Sequence, residues 1–346
     1  MRKWLILALV SLVVLSVLTG CGQAKSPVSA PDKKTVTVND AAGRQAQVPY
    51  PAKRVVCLAS DAAEVICALG AEDQVVAVSD TLKSYPIVKE RFANTPGVGN
   101  FSEPSVEKIL EVRPDVVLGY KQSLDNKIAE KIQAAGIPFI VLTCNDMRTF
   151  VQDVKNLGCL LGKEKEADDF ITFINNNLKK ITEVIQKVPL SQKPRIYIEG
   201  FQPFTTYGKE SPSANIVELA GGTNIAENEP TANPKINPEW VIKQNPDVII
   251  KVVTSDKTLP DVMRQEGENI VSRPGFKEIK AVKDDRIYVI GWKVYTGARA
   301  VIGAAYLAKW FHPDLFKDVD PEAIHREMLK KFYNEELRGV WVYPEK

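Results

Sequence analysis

One pattern occurs twice in this chain and sets the terms for its fold. Ser105–Leu118 reads SVEKILEVRPDVVL and Pro238–Ile250 reads PEWVIKQNPDVII: apolar residues at helical spacing, then Pro-Asp, then a β-branched run. Each copy predicts a helix, a turn and a buried strand. The β-branched runs do not alternate with polar residues, as parallel strands covered on both faces should not. Pro114 and Pro246 lie 132 positions apart. A second correspondence, VICALGAEDQVV at 65–76 against IVELAGGTNIA at 216–226, adds to each copy a helix closed by Gly before another short strand. The repeat predicts two similar Rossmann-like α/β lobes, each with a mostly parallel sheet, because strands alternating with helices require right-handed crossovers.

The first lobe, 35–163, is expected to hold strands near 54–58, 74–78, 115–119 and 138–142, with helices near 62–69, 105–112 and 124–135. The second, 190–311, should place strands near 195–199, 247–252 and 286–290, and a helical tail follows over 312–346. Between the lobes, Ile171, Ile174, Leu178, Ile181, Ile185 and Val188 follow helical spacing within 164–189. A helix from Lys165 to Val188 is about 35 Å long at 1.5 Å per residue, enough to brace both lobes, and Pro189 ends it. Such a stiff connection favours small rocking over wide hinge closure.

The amino end carries a separate message. Arg2 and Lys3 precede an apolar run from Trp4 to Leu18, too short for a membrane span but suited to export. It ends Leu18-Thr19-Gly20-Cys21, which resembles the bacterial lipoprotein signal, so 1–20 is expected to be removed and Cys21 lipidated. Residues 21–34, rich in Ala, Ser, Pro and Lys, then form a tether, and the folded body sits outside the cytoplasm: on the outer face of the cytoplasmic membrane or in the periplasm.

Charge and side-chain chemistry exclude several functions. Lys and Arg total 45 against 43 for Asp and Glu, and Arg2 and Lys3 account for the excess, so the mature body offers no basic tract to nucleic acid. Two histidines, His312 and His325, thirteen positions apart in the tail, do not make a bare zinc or manganese site. No nucleophile elbow, phosphate-binding loop or Ser-His-Asp set is present, which argues against an enzyme, and no resident metal or cofactor is expected. Cys57, Cys67, Cys144 and Cys159 lack paired C-x-x-C spacing and read as small core residues or as an unassignable disulfide.

Three blocks resemble a known family: VTVNDAAGRQAQVPYPAKRVVCLASDAAEVICALGA at 36–71, VGNFSEPSVEKILEVRPDVVLGY at 98–120 and YGKESPSANIVELAGG at 207–222. The family is that of the single-helix-linked substrate-binding lipoproteins of ABC importers for cobalamin, ferric siderophores and haem. The resemblance covers residues 35 to about 335, and the segment AKWFHPDLFKDVDPEAIHREMLKKFY is similar to an iron-complex-binding subgroup. It implies a monomer that captures a chelated metal complex and passes it to a permease and its ATPase. It also implies one acidic residue, usually Glu, on the exposed face of each lobe to dock that permease. Here Asn126 falls at the expected amino-lobe position with Asp125 beside it, and Asp256 falls near the other; both aspartates also read as ordinary solvated turn residues.

The cargo site follows from topology alone. Ligands of open α/β sheets bind beyond the carboxyl ends of the strands, so two facing lobes share one cleft. Asp61, Phe101, Tyr120 and Lys121 are the candidates from the first lobe, and Phe201, Tyr207, Lys209, Trp292, Tyr295 and Arg299 from the second. Flat aromatic faces suit a large planar chelate, while Lys121, Lys209 and Arg299 would neutralise an anionic group. Each has a plainer reading: Asp61 N-caps the next helix, Tyr120 and Lys121 mark a strand leaving the sheet, Tyr207 and Lys209 belong to a self-packed turn, Trp292 and Tyr295 anchor a loop, and Arg299 pairs with a carboxylate in its own helix. An oxyanion such as molybdate or tungstate is the alternative cargo, and a receptor or sensor the alternative partner.

Overall fold

The amino-terminal lobe begins with an antiparallel hairpin, β1 (Thr35–Asn39) against β2 (Gln45–Pro49), in the computed structural model, which describes residues 34–254 and 257–344. Next come β3 (Val55–Cys57), β4 (Val75–Val78), a two-residue hairpin of β5 (Gly99–Asn100) and β6 (Glu103–Pro104), then β7 (Val116–Gly119) and β8 (Phe139–Val141). β4, β3, β7 and β8 lie side by side in that order, all parallel. The carboxy-terminal lobe contributes β9 (Arg195–Glu199), β10 (Thr223–Asn224), β11 (Val248–Val253), β12 (Ile287–Gly291) and β13 (Val342–Tyr343). Its order is β10, β9, β11, β12, β13, parallel except for β13, which pairs antiparallel at the edge. Every residue of β7 and β11 is buried, which explains the unbroken β-branched runs.

The sequence repeat is a structural repeat in detail. Ser105 Oγ accepts the Lys108 amide at 3.3 Å and caps the helix Val106–Glu111; Asn237 Oδ1 accepts the Trp240 amide at 2.7 Å and caps Pro238–Gln244. The residues before the two prolines, Arg113 and Asn245, both turn through the left-handed region, at φ 44° and 45°. The aspartates after them do the same work. Asp115 accepts the amides of Lys53 and Arg54, at 2.9 and 3.0 Å, and Asp247 accepts that of Arg195 at 2.8 Å, so each ties the entry of its own strand to that of the neighbouring one.

The brace helix runs Glu164–Ile185, and its buried face carries Ala167, Phe170, Ile171, Phe173, Ile174, Ile181 and Ile185. It packs on the helix Phe150–Leu161 of one lobe and on Ala300–Phe311 of the other. Gly158 permits the first approach, since a Cβ there would meet the Ala167 methyl. The helix stops short of the expected Val188 because its last turn tightens, with the Val188 amide bonded to the Ile185 carbonyl at 3.0 Å ahead of Pro189. The tail is helical over Pro321–Met328 and continues as a π-helix over Leu329–Tyr333, where Phe332 stands edge-on to Phe170 and Phe173, 4.9 and 5.4 Å away; it then departs from expectation, leaving the helix to return as β13 and pair with β12. From Lys34 onward the described residues of the lobes and tail form one compact unit.

Candidate functional site

The carboxyl ends of both sheets open toward a common region, and aromatic side chains collect there. β9 ends at Glu199 and hands over to a loop bearing Phe201 and Tyr207; β12 ends at Gly291 and leads into Trp292 and Tyr295. The Phe201 ring stands edge-on to Trp292 at 5.1 Å, Tyr207 stacks on Tyr295 at 6.1 Å, and Trp292 lies 6.4 Å from each tyrosine. Tyr295 is buried and its hydroxyl donates to the Ser213 carbonyl at 2.6 Å. Burial pushes the phenols of Tyr207 and Tyr295 up, so both stay neutral donors. Phe201 is 41% exposed, so one face of its ring is open to a ligand.

From the amino-terminal lobe, Phe101 and Tyr120 meet edge-to-face at 5.1 Å, and the Tyr120 hydroxyl receives the Ser60 amide at 3.1 Å. The same lobe also contributes Asn145, from the loop after β8. Cys144 holds this loop in the left-handed region, φ 53°, where its amide donates to the buried Asp153 carboxylate at 3.1 Å. Burial pushes Asp153 up to about 6.

Asn145 and the aromatic wall enclose a hollow of about 350 Å³, lined also by Gln202, Thr205, Ser211, Ser213 and Asn233, and none of its eleven lining residues carries a charge. Of the ten sequence candidates it brings together Phe201, Tyr207 and Trp292. Tyr295 supports that wall from behind, and Phe101 and Tyr120 form a separate pair on the other lobe. Lys121 and Lys209 are exposed and do not line the hollow.

Asp61 and Arg299 do not line it either. They belong to a buried quartet that joins the lobes. Lys293 lies 2.8 Å from Asp61 and 3.8 Å from Glu64, and Arg299 lies 2.7 Å from Glu64. The Tyr85 ring sits under Lys293 at 4.0 Å and the Trp341 ring over Arg299 at 4.7 Å. Burial alone would pull the Lys293 ammonium down, but Asp61 and Glu64 outweigh it and leave it above its ordinary value. The helix after β3 begins at Ser60 without a side-chain cap, so Asp61 sits inside the first turn rather than capping it. Gly297, at φ 71°, is required beside the quartet because a Cβ would fall on the Asp61 carboxylate. Thr296 adds a cross-lobe bond from its hydroxyl to the Asn145 carbonyl, 3.1 Å.

Asp125 is exposed on a short helix, Gln122–Asp125, and Asn126 donates to the Ser102 carbonyl at 3.0 Å. Asp256 and Cys21 lie outside the described residues. Cys57, Cys67, Cys144 and Cys159 are all free thiols; burial pushes Cys57 up to about 12, an inert group at neutral pH. His312 meets the Gly221 carbonyl at 3.0 Å and His325 is buried against Trp341; among the described residues no three His, Cys, Asp or Glu side chains gather as metal ligands. Sequence reasoning missed Glu64, Asn145, Lys293 and the Ser211–Ser213 turn. Lys293 left a trace, a lysine set between Trp292 and the apolar Val294 at a strand end, but its partners are more than 200 positions away.

Two α/β lobes with a parallel sheet in each, braced by one long helix and sharing an aromatic hollow beyond their strand ends, define a two-lobed binding protein. The chain belongs to the periplasmic binding protein family, whose pattern matches residues 55–293, and it is a binding component rather than an enzyme. The uncharacterized ABC transporter substrate-binding lipoprotein YvrC of Bacillus subtilis is 29% identical over 321 residues, 89% of this chain and 96% of that one. The molybdate-binding protein MolA of Haemophilus influenzae is 23% identical over 348 residues, 92% and 96% of the two chains. Its molybdate-bound structure superposes with a TM-score of 0.74 at 21% identity, covering 88% of this chain and 99% of that one. A vitamin B12-binding protein of Vibrio parahaemolyticus is 27% identical over 206 residues, 58% of this chain and 70% of that one. Among the described residues no helix is long and apolar enough to cross a membrane.

Proposed function

We propose that this protein captures a metal chelate, a cobamide, ferric siderophore or haem, in the cleft between its lobes and delivers it to an ABC permease and its ATPase, working outside the cytoplasm as a monomer tethered by lipid at Cys21. The observation that carries this reading is the hollow: aromatic walls for a flat or apolar surface, with hydroxyls and amides from Asn145, Gln202, Thr205, Ser211, Ser213 and Asn233 for its polar rim. Within the class, a lining without charge supports a chelate edged by amides and hydroxyls, the chemistry of a cobamide, ahead of one bearing free carboxylates. Asp125 and Asp256 are the acids assigned to the permease.

An oxyanion is the second reading, supported by the likeness to the molybdate-binding protein. Against it stands the disposition of charge. Arg299 is committed to Glu64, and Lys121 and Lys209 lie outside the hollow. The experiment is a visible absorption spectrum of the mature, untagged protein after incubation with cyanocobalamin, haem and a ferric siderophore and removal of free compound. Retained bands name the chelate; a colourless protein that retains molybdenum by elemental analysis overturns the chelate reading in favour of the oxyanion.

A further inference from the structure

The loop that carries Phe201 and Gln202 to the hollow is gripped from beneath by a side chain with no other evident task. Lys251 stands in β11, the central strand of its sheet, in the run VIIKVV, with its side chain 3% exposed. An ammonium between two buried faces is tolerated only when its protons are taken up. All three are: by Glu199 Oε1 at 3.1 Å, the Gly200 carbonyl at 2.7 Å and the Phe201 carbonyl at 3.3 Å.

Glu199 does not depend on Lys251 for a partner. Both guanidinium nitrogens of Arg273 donate to its carboxylate, at 2.6 and 2.8 Å, alongside the Phe204 amide at 2.9 Å and the Tyr197 hydroxyl at 3.1 Å. Arg273 alone balances the charge and supplies the bidentate pair. Lys251 is the second cation on one carboxylate, and what it adds is a hold on two consecutive carbonyls of the loop. A second hollow, of about 120 Å³, lies behind this loop, so Phe201 and Gln202 form the wall between it and the cleft. A released loop has space to fall back.

We propose that Lys251 is a positioning residue for cargo recognition, holding the 200–204 loop forward so that Phe201 stays edge-on to Trp292 in the cleft. The proposal rests on the assignment of the hollow as the cargo site. Removing the ammonium leaves two carbonyls without a donor but leaves Glu199 with Arg273, so the loop should loosen while the sheet survives.

The test compares the mature wild type with Lys251→Met, and with Lys251→Gln should the methionine variant not fold. Hydrogen exchange at the Gly200 and Phe204 amides, which bond the Thr205 carbonyl and Glu199, is expected to rise at least about tenfold with the amides of Ile198 and Ile250 unchanged. Cyanocobalamin affinity is expected to fall about tenfold, and by less than about twofold when the same change is made on Phe201→Ala. Unchanged exchange at 200–204, or exchange raised equally across the sheet, overturns the positioning role, as does a Phe201→Ala variant that loses affinity where the lysine variants keep it. A Phe201→Ala variant that binds as well as the wild type overturns the assignment of the hollow itself, and the proposal with it.

Discussion

Lys293 and Asp61, 232 positions apart in the chain and on different lobes, meet at 2.8 Å with side-chain exposures of 0% and 4%. With Glu64 and Arg299 they form a charge-balanced set sealed at the junction of the lobes. Four buried charges persist only as a complete set, because removing one member leaves its partner charged, buried and unpaired.

Loss of one member should therefore be severe. Lys293→Met leaves Asp61 without a partner and is expected to destabilise the protein by about 3–5 kcal/mol in chemical denaturation. Adding Asp61→Asn should recover a large part of this, since Glu64 retains Arg299. A double variant no more stable than the single would show that packing, not charge balance, dominates at this junction.

Gly297→Ala probes the same place without touching a charge. A methyl group there meets the Asp61 carboxylate and opposes φ 71°, and a loss of several degrees in Tm is expected. A Tm within a degree of wild type would mean that the Asp61 carboxylate yields to the methyl group at little cost.

Asp153 gives stability a pH dependence of known sign. Its carboxyl is raised to about 6 when folded, while the unfolded chain has the ordinary value near 3.8. The native state therefore holds the proton more tightly, and this group's contribution is most favourable below the unfolded value and is lost as pH rises through about 6. Asp153→Asn keeps an acceptor for the Cys144 amide without the charge. It should be more stable than wild type at pH 7.5, by at most on the order of 2–3 kcal/mol, with the gap closing by pH 4. A gap independent of pH would assign the effect to hydrogen bonding.

Arg113 and Asn245 occupy equivalent left-handed turns, and asparagine tolerates that conformation better than arginine does. Arg113→Asn, which copies the second lobe into the first, is expected to stabilise by about 0.5–1 kcal/mol in thermal or chemical unfolding. Destabilisation would show that the exposed arginine makes a contribution beyond its backbone.

Cargo binding and docking should separate by mutation. Trp292→Ala, which removes the centre of the aromatic wall, is expected to weaken retention of the coloured chelate at least about tenfold, whereas Lys121→Ala and Lys209→Ala should change it by less than about twofold. A large effect of either lysine would place the cargo elsewhere. Asp125→Arg with Asp256→Arg should leave affinity intact and abolish stimulation of the transporter ATPase in reconstituted vesicles; undiminished stimulation would remove both residues from the docking face.

The repeated helix, Pro-Asp turn and β-branched strand were legible because each is written in contiguous residues: periodicity marks the helix, Ser105 and Asn237 cap it, and unbroken apolar runs mark doubly covered strands. Strand order carried the aromatics of the hollow as well, since Phe201, Tyr207 and Trp292 each follow a strand whose carboxyl end faces the cleft. The fate of the charges was not legible. Nothing near Asp61 or Arg299 in sequence tells that Lys293 neutralises the first and Glu64 the second, because those partners arrive from the opposite lobe and only the packing of the lobes selects them. Local patterns determined where the chain is helix, strand and turn, while the assembled lobes decided which polar groups remain for a ligand, since a buried charge takes the nearest opposite charge whatever its distance along the chain.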